Sequence, residues 1–395
     1  MKQHSIIGGI LLIVGMSVGS GMLALPATMA QHGFMGAIVL LVLGWVVVTF
    51  SAFLILEANL WMPPNSNIIS MAKNTLGLGG QAVAWICYLL LLYALTSAMI
   101  AGGSDVLNGL FNAINLQMPL WVSNLLFTGI LGFIVYKGIK VVDHINRGLM
   151  SIKFLALLLV LISISPFVHV EHLAHYYSSS IATAITVVVT AFGFSIVIPS
   201  LRDYYHSDVA KLRKIVLFGS LVPLLCYLLW VAVVLGVLPL NGSHGLIAIL
   251  KSNDPNTQLM QALSYYSNST WIVACTRIFT TICLATTFLG VSLSLSDFLA
   301  DGLKLNKRSS EGLIIYSLTF LPPLAIVLCY PAAFIMALSY AGIFCTLLLV
   351  ILPVLMVWRG RYQQKLASNY HVMGGKPALI GSLLIGIIVV VLPFI

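Results

Sequence analysis

The sequence predicts an all-α integral membrane protein of about eleven transmembrane helices, in which two halves of five spans repeat with inverted topology. Three observations predict this class. Of the 395 residues, 60% are hydrophobic and only 7% are charged, whereas a soluble domain carries about 25% charged residues. Apolar runs long enough to cross a bilayer recur along the chain. Helix-breaking residues also recur at corresponding places in its two halves.

This composition excludes a soluble enzyme, a nucleic-acid-binding protein and a secreted disulfide scaffold, since the mean hydropathy is +1.06. The six cysteines all lie within apolar runs and show no CxxC spacing. Such cysteines are expected to pack as small hydrophobic side chains. Neither a cofactor nor a metal is therefore expected.

A spanning helix needs about 20 mostly apolar residues, and a scan at that length gives about eleven candidates. Turn sequences separate them, for example MPPNSN at 62–67 and KSNDPN at 251–256. The predicted spans are 5–30, 34–58, 80–110, 120–137, 147–168, 180–201, 212–238, 269–299, 312–329, 332–357 and 377–394.

The basic residues predict the orientation of the chain. With the N-terminus in the cytoplasm, sixteen of the nineteen Lys and Arg residues fall in inner loops and flanks. Lys251 alone lies in an outer loop, while Lys153 and Arg277 lie inside spans. By the positive-inside rule this asymmetry predicts a cytoplasmic N-terminus and, with an odd number of spans, an external C-terminus. The same asymmetry accounts for the net charge of +9 without an anionic partner.

The first span contains GMSVGSGMLALP, in which Gly15, Gly19, Gly21 and Pro26 interrupt an otherwise apolar run. Glycine weakens a helix, and proline removes a backbone hydrogen bond and clashes with the preceding turn. Two interpretations are open for this stretch alone. The glycines form a small-residue face that packs against a neighbouring helix, or they break the helix so that freed backbone groups bind a ligand.

The sixth span repeats the pattern in TAFGFSIVIPSL, where Gly193 precedes Pro199 by six residues. In the first span Ser20 precedes Pro26 by the same interval. If each half contributes five spans, the first and sixth spans face opposite ways, as an inverted repeat requires. Paired Gly/Pro interruptions at corresponding positions indicate the binding site of a transporter, which favours the broken-helix interpretation.

Ionisable residues within spans are costly, so each requires a partner or a function. Lys153 lies about two turns into the fifth span and either extends to the cytoplasmic interface or titrates beside the broken first helix. Glu57 and Asp297, near inner span ends, are expected to anchor the interface or to pair with Lys or Arg. Asp105 and Arg277 are a candidate ion pair at the outer end.

Two further groups of side chains leave alternatives open. His169, His172 and His175 lie beside Glu171 in an outer loop, where solvated side chains are favoured over a metal site. Four aromatic residues fall near mid-span, where they either pack in the interior or line a pocket for an aromatic substrate. They are Tyr93, Phe192, Phe194 and Tyr340.

Five long motifs resemble those of a known family. They are GMSVGSGMLALP, FGFSIVIPSL, KLRKIVLFGSLVPLLCYLLW (211–230), ATTFLGVSLSLSDFLAD (285–301) and TFLPPLAIVLCYPAAFIMALSYAG (319–342). Together they resemble the bacterial tyrosine-specific permeases of the hydroxy and aromatic amino acid permease family, within the amino acid–polyamine–organocation superfamily.

The resemblance runs essentially the full length of the chain. It implies a LeuT-type fold of five-plus-five inverted repeats with an extra eleventh span. The repeats would comprise residues 1–168 and 169–357, and the extra span residues 358–395. It also implies a multi-pass protein of the bacterial cytoplasmic membrane that imports an aromatic amino acid together with protons.

The resemblance assigns a role to Lys153. The pattern Gly138, Lys140, Asn146 and Lys153 is similar to that of proton-coupled superfamily members, in which the lysine of the fifth span replaces a sodium ion. Lys153 is therefore the candidate for proton coupling. Ser195 departs from the family pattern, because relatives often have histidine directly after FGF.

The expected substrate site lies between the two breaks. Amides of the first break are expected to meet the substrate carboxylate, because a helix N-terminus offers free N–H groups and partial positive charge. Carbonyls at the sixth-span break are expected to meet the ammonium group, and aromatic and eighth-span residues the ring. The candidate residues are Met16, Ser17, Gly19, Ser20, Gly21, Tyr93, Phe192, Gly193, Phe194, Ser195 and Thr287.

The function that these features favour is a proton-coupled importer of tyrosine, with tryptophan or phenylalanine as variants. A sodium-coupled amino acid transporter is the main alternative, and Lys153 discriminates between them because its ammonium would compete with bound sodium. A channel lacks support because no repeated polar pore lining is seen in the sequence. An intramembrane enzyme lacks support because the spans contain neither GxSxG nor HExxH.

Overall fold

The computed structural model describes residues 6–64, 66–173, 181–305, 307, 311–330, 333–366 and 370–395, among which no strand occurs. His175 lies outside the described residues. Within them, the spans in chain order are 6–29, Gly33–Leu60, Ile68–Ala113, Leu120–Tyr136, Ile139–Ile164, Ala182–Tyr204, Val209–Val237, Thr270–Leu303, Gly312–Cys329, Ala333–Tyr362 and Gly375–Val391. Shorter helices are Ala30–His32, Ser165–Phe167, Val170–Leu173, Leu246–Lys251, Pro255–Ser267 and Leu392–Phe394.

The predicted number of spans is confirmed for the part of the chain described. Among the described residues, nine helices are long and apolar enough to cross a membrane. Two shorter apolar helices, Ile6–Ser17 and Leu120–Tyr136, occupy the first and fourth predicted spans. The chain therefore folds as a multi-pass membrane protein.

Two spans begin earlier than hydropathy predicts. The third begins at Ile68, where Asn67 and Ser70 form a capping box, and it kinks at Gly77, whose φ is +80°. The fifth begins directly after Gly138, whose φ of +94° suits glycine alone. Hydropathy detects only the apolar part of a helix, whereas the backbone hydrogen bonds continue into polar turns.

Both predicted breaks are present. The first span consists of Ile6–Ser17 and Ser20–Met29, and the intervening Gly19 is extended with φ −154° and ψ −147°. The sixth consists of Ala182–Ala191 and Ile198–Tyr204, joined by a 3₁₀ turn at Gly193–Val197. The α-helix of the tenth span is also interrupted. It runs as Ala333–Thr346, a π-helical turn at Leu347–Ile351, and Leu352–Tyr362.

The packing of the spans follows the inverted repeat. The third span packs against the tenth, and the eighth span packs against the fifth. These two contacts correspond to each other, because the third and fifth spans of the first half are equivalent to the eighth and tenth spans of the second half. The third and eighth spans also contact each other, as do the second and seventh. The two broken spans lie between these pairs, so both breaks are enclosed by helices from both halves.

Ion pairs hold the inner ends, which are the ends that carry the basic loops. The buried carboxylate of Glu57 accepts hydrogen bonds from Arg361 and from the N–H of Val372, and it also contacts His371. Asp297 pairs with Lys307. Both carboxylates therefore have the basic partners that the sequence predicts.

The candidate ion pair at the outer end is not formed among the described contacts. Asp105 instead accepts hydrogen bonds from the backbone N–H groups of Asn256 and Thr257, at 2.9 and 3.2 Å. The sequence interpretation was wrong because it considered only side-chain charge. The first N–H groups of a helix have no carbonyl partner within it, so they can bind a carboxyl oxygen without a basic side chain.

Candidate substrate site

A cavity of about 380 Å³ lies beside both helix breaks and is enclosed by the two broken spans together with the third, fifth, eighth and tenth. Seven of the predicted site residues line it. They are Met16, Ser17, Gly19, Ser20, Gly21, Gly193 and Thr287. The rest of its wall includes Tyr88, Leu91, Leu92, Leu95, Asn146, Met150, Thr190, Ile196, Val291 and Ser294.

The other four predicted binding residues lie outside the wall in this conformation. The hydroxyl of Tyr93 donates to the carbonyl of Leu318 at 2.8 Å, between the third and ninth spans. Phe192 is fully buried, with its ring edge-on to Tyr227 at a centroid distance of 5.0 Å. Phe194 and Ser195 are also buried. The break in the sixth span thus turns the side chains of Phe192, Phe194 and Ser195 into the protein, away from the cavity.

The described wall of the cavity contains no Asp, Glu, Lys, Arg or His side chain. Its polar groups are backbone atoms, hydroxyls and the amide of Asn146. Ser20 and Gly21 occupy the first turn of the helix Ser20–Met29, where N–H groups have no carbonyl partner within the helix. An anionic group can bind there without a basic side chain, because these N–H groups and the helix dipole both favour it.

The hydroxyl of Tyr227, in the seventh span, links the two breaks. Its oxygen lies 2.6 Å from the carbonyl oxygen of Ser17 and 2.8 Å from that of Ala191. A hydroxyl has one hydrogen, so it donates to one of these carbonyls at a time. Our sequence reasoning missed this residue, although a tyrosine in mid-span is a signal that its hydroxyl needs a buried partner.

Lys153 is only 1% exposed, and its Nζ lies 2.7 Å from the carbonyl oxygen of Val18 and 3.5 Å from that of Gly15. Both carbonyls belong to the first-span break. The side chain therefore does not extend to the inner interface, which removes that alternative. Its amino nitrogen lies against carbonyl oxygens at the end of the helix Ile6–Ser17, where a helix leaves carbonyls without N–H partners.

Comparison with known proteins identifies the family. The family model described as the tryptophan/tyrosine permease family matches residues 2–393. The chain belongs to the tryptophan/tyrosine permease family. Two proteins of Haemophilus influenzae are similar over almost their whole length. Tyrosine-specific transport system 1 is 36% identical over 99% of this chain and 97% of its own. Tyrosine-specific transport system 2 is 33% identical over 100% of this chain and 97% of its own.

Other comparisons extend these results. Glutamine transporter 2 of Aliivibrio fischeri is 30% identical over 98% of this chain and 99% of its own. The crystal structure of MhsT in complex with L-phenylalanine superposes with a TM-score of 0.63 at 13% identity, covering 98% of each chain. That likeness concerns the fold alone and confirms the predicted LeuT-type fold. The relatives are transport proteins, so this permease is a transporter rather than an enzyme.

The permease is open at the span ends that carry the basic loops and closed at the opposite ends. The helix Ser20–Met29, the outer half of the first span, is buried along its whole length, whereas Met16 in the inner half is 50% exposed. The cavity wall continues from the breaks to Tyr88 and Ser294, which lie toward the inner ends of their spans. A ligand released from the breaks would therefore leave toward the basic loops.

A second cavity of about 590 Å³ lies at the outer ends of the sixth, tenth and eleventh spans of the permease. Thr183, Lys251, Tyr340 and Phe394 are among the residues that line it. Neither helix break contributes to its wall. The smaller cavity is therefore the candidate substrate site.

Proposed function

We propose that this permease is a symporter that imports an aromatic amino acid, tyrosine in the first place, together with protons by alternating access. The observation that carries the proposal is the position of Lys153. Its ammonium group donates a hydrogen bond to the carbonyl of Val18 in the first-span break. This break lies beside a cavity whose described wall has no Asp, Glu, Lys, Arg or His side chain. A proton on this nitrogen stabilises the broken helix, and loss of the proton removes that support.

The substrate would be recognised mainly by backbone atoms. The N–H groups of Ser20 and Gly21 would bind the carboxylate, and carbonyls freed at the sixth-span break would bind the ammonium group. The aliphatic wall formed by Leu91, Leu95 and Ile196 is suited to an aromatic ring, because it removes apolar surface from water. Two relatives named as tyrosine-specific transport systems support this substrate class.

Sodium coupling is the alternative within the same class of transporter. A sodium site in the first-span break would need the oxygen atoms that Lys153 now contacts. Two cations that share the carbonyl of Val18 would repel each other strongly in this buried site. The lysine therefore favours protons over sodium as the coupling ion.

The proposal places the permease in the inner membrane of a bacterium, with the N-terminus in the cytoplasm and the C-terminus outside. The asymmetry of the Lys and Arg residues supports this orientation. The inverted repeats would comprise residues 1–168 and 169–357, with the eleventh span in residues 358–395. The cavity then opens toward the cytoplasm in this conformation.

Transport assays in proteoliposomes test the function. An imposed proton gradient, acidic outside, should drive accumulation of radiolabelled tyrosine, whereas a sodium gradient alone should not. In competition with all twenty amino acids, phenylalanine and tryptophan should inhibit more strongly than glutamine. Uptake that follows sodium at constant pH would select the alternative coupling ion, and strongest inhibition by glutamine would contradict the substrate class.

Cysteine labelling in intact cells tests the orientation. A membrane-impermeant maleimide should label Lys251→Cys from outside and should label Lys214→Cys only after the cells are opened. Both side chains are exposed, whereas Lys307 is less suitable because it pairs with Asp297. A Cys329→Ser background removes the exposed native thiol among those described. The reverse labelling pattern would show that the proposed topology is inverted.

A further inference from the structure

Asp105 lies where the third span meets a short helix that is not one of the eleven spans. The helix Pro255–Ser267, hereafter the connecting helix, joins the seventh and eighth spans at the outer end. Oδ2 of Asp105 accepts the N–H groups of Asn256 and Thr257, and the hydroxyl of Thr257 donates to the backbone carbonyl of Asp105 at 3.1 Å. Through these three hydrogen bonds the N-terminus of the connecting helix is docked on the third span.

The contact between the two helices is close. A Cβ atom at Gly109, one turn beyond Asp105, would lie 2.9 Å from Oγ1 of Thr257. Asp105 is only 3% exposed and Asn256 is also 3% exposed. The carboxyl group is therefore removed from water by the docked helix.

The two oxygens of this carboxyl group have unequal surroundings. Oδ2 has two donors, whereas Oδ1 is buried and has no hydrogen-bond partner among the described residues. The side-chain nitrogen of Asn256 is likewise buried and unpaired within the described part of the chain. An ionised carboxylate here would lose the hydration of Oδ1 without a hydrogen bond to replace it, which is costly for a buried charge.

The charged groups nearby do not offset that cost. Asp254, at the start of the connecting helix, adds a second negative charge that acts on Asp105. Arg277 of the eighth span makes no ion pair with it among the described contacts, and the outer half of the fourth span, 120–128, contains no ionisable residue. The neutral acid fits better, because one oxygen still accepts the N–H groups while the other carries the hydrogen.

We propose that Asp105 is a second proton-binding residue of this permease, which takes up a proton as the connecting helix docks and closes the outer side. Its role in transport rests on the proposed proton-coupled function, whereas the linkage between docking and protonation does not. When the helix undocks, water reaches the carboxyl group, which then ionises as an ordinary aspartate does. The docked state therefore binds more protons, so docking strengthens as the pH falls and weakens as it rises.

Hydrogen–deuterium exchange of the purified full-length permease tests this linkage without substrate. The rate of amide exchange within 255–267 is measured between pH 5.5 and 8.5 and divided by the intrinsic exchange rate at each pH. This ratio is the opening constant, the equilibrium constant for undocking of the connecting helix. In the wild type the opening constant should increase by as much as about tenfold per pH unit, the limit for one linked proton. The side chain of Asp105→Asn keeps the shape of aspartate and cannot ionise. The opening constant of this variant should therefore not change with pH.

Two further variants identify the titrating group. Asp254→Asn, at the same helix start, should keep the pH trend, and Asp105→Glu should keep it because it retains an acid. A wild-type opening constant that is independent of pH, or that falls as the pH rises, would overturn the proposal. Persistence of the trend in Asp105→Asn would also overturn it. Failure of tyrosine uptake with an intact exchange trend would refute the proposed function alone.

Discussion

Replacement of Lys153 by alanine is expected to abolish proton-driven accumulation of the aromatic substrate. The variant loses the ammonium group that lies 2.7 Å from the carbonyl oxygen of Val18, and with it the protonatable group of the first-span break. One proton that moves down a gradient of one pH unit provides about 1.4 kcal/mol, enough for about tenfold accumulation. In proteoliposomes, Lys153→Ala should therefore only equilibrate the substrate under conditions in which the wild type concentrates it about tenfold.

Two companion variants separate charge from side-chain volume. Lys153→Arg should also fail, because arginine stays charged at any physiological pH and cannot release its proton. Lys153→Met keeps much of the side-chain length without a charge and should fail as alanine does. Arg147→Ala, which removes an exposed basic residue on the same helix, is the matched control and should retain accumulation.

Binding and coupling must be measured together for these variants. A proton shifts the balance between two conformations only through its different affinity for them. Substrate binding or exchange in Lys153→Ala is therefore compatible with loss of accumulation. If Lys153→Ala still concentrates substrate when only a proton gradient is imposed, Lys153 is not the coupling residue, and Asp105 becomes the first residue to test.

A methyl group at Gly21 is expected to reduce substrate affinity far more than one at Gly193. A Cβ atom at Gly21 would lie 2.9 Å from the Cα of Ala191, so the two broken helices would have to separate. At Gly193 the nearest atom would be Sγ of Cys345 at 3.5 Å, which is an ordinary contact. Overpacking of this kind costs about 1–3 kcal/mol, which would correspond to a loss of affinity of roughly five- to 150-fold if the bound state bears the whole cost.

Equilibrium binding of radiolabelled substrate to the purified variants measures this difference. The affinity of Gly21→Ala for the substrate should be lower than that of the wild type by a factor within the range given above. The affinity of Gly193→Ala should stay within about twofold of the wild type. Thermal unfolding of both variants serves as the control for a folded protein. Wild-type affinity in Gly21→Ala would mean that the close approach of the two breaks does not shape the binding site. The larger valine side chain should accentuate the loss at Gly21.

The conformation that is open toward the basic loops is the common starting state of these experiments. In this conformation Lys153 and Tyr227 both hold carbonyls of the first-span break, and Asp105 holds the connecting helix. Under the proposed alternating access, conversion to the opposite state would change at least some of these contacts, because the breaks lie between helices that would move apart. We therefore expect the hydrogen bonds of these three side chains to differ between the two conformations.

The sequence by itself determined the membrane class, the number of spans and the two helix breaks, and it singled out Lys153 as a span residue that needs an acceptor. Each follows from local chemistry. Hydropathy over about 20 residues defines a span, glycine and proline weaken a helix wherever they occur, and a lysine within a span needs an acceptor. None of these inferences requires knowledge of which helices are neighbours.

Only the tertiary structure decided which side chains meet. It turned Phe194 and Ser195 away from the cavity, brought Tyr227 to carbonyls of both breaks, and gave Asp105 the N-terminus of a helix in place of Arg277. These outcomes depend on the rotation of each helix about its axis and on contacts between segments that lie from 36 to 210 residues apart in the chain. An almost uniformly apolar helix lacks the polar face that would predict its rotation, and long-range contacts leave no local pattern in the chain.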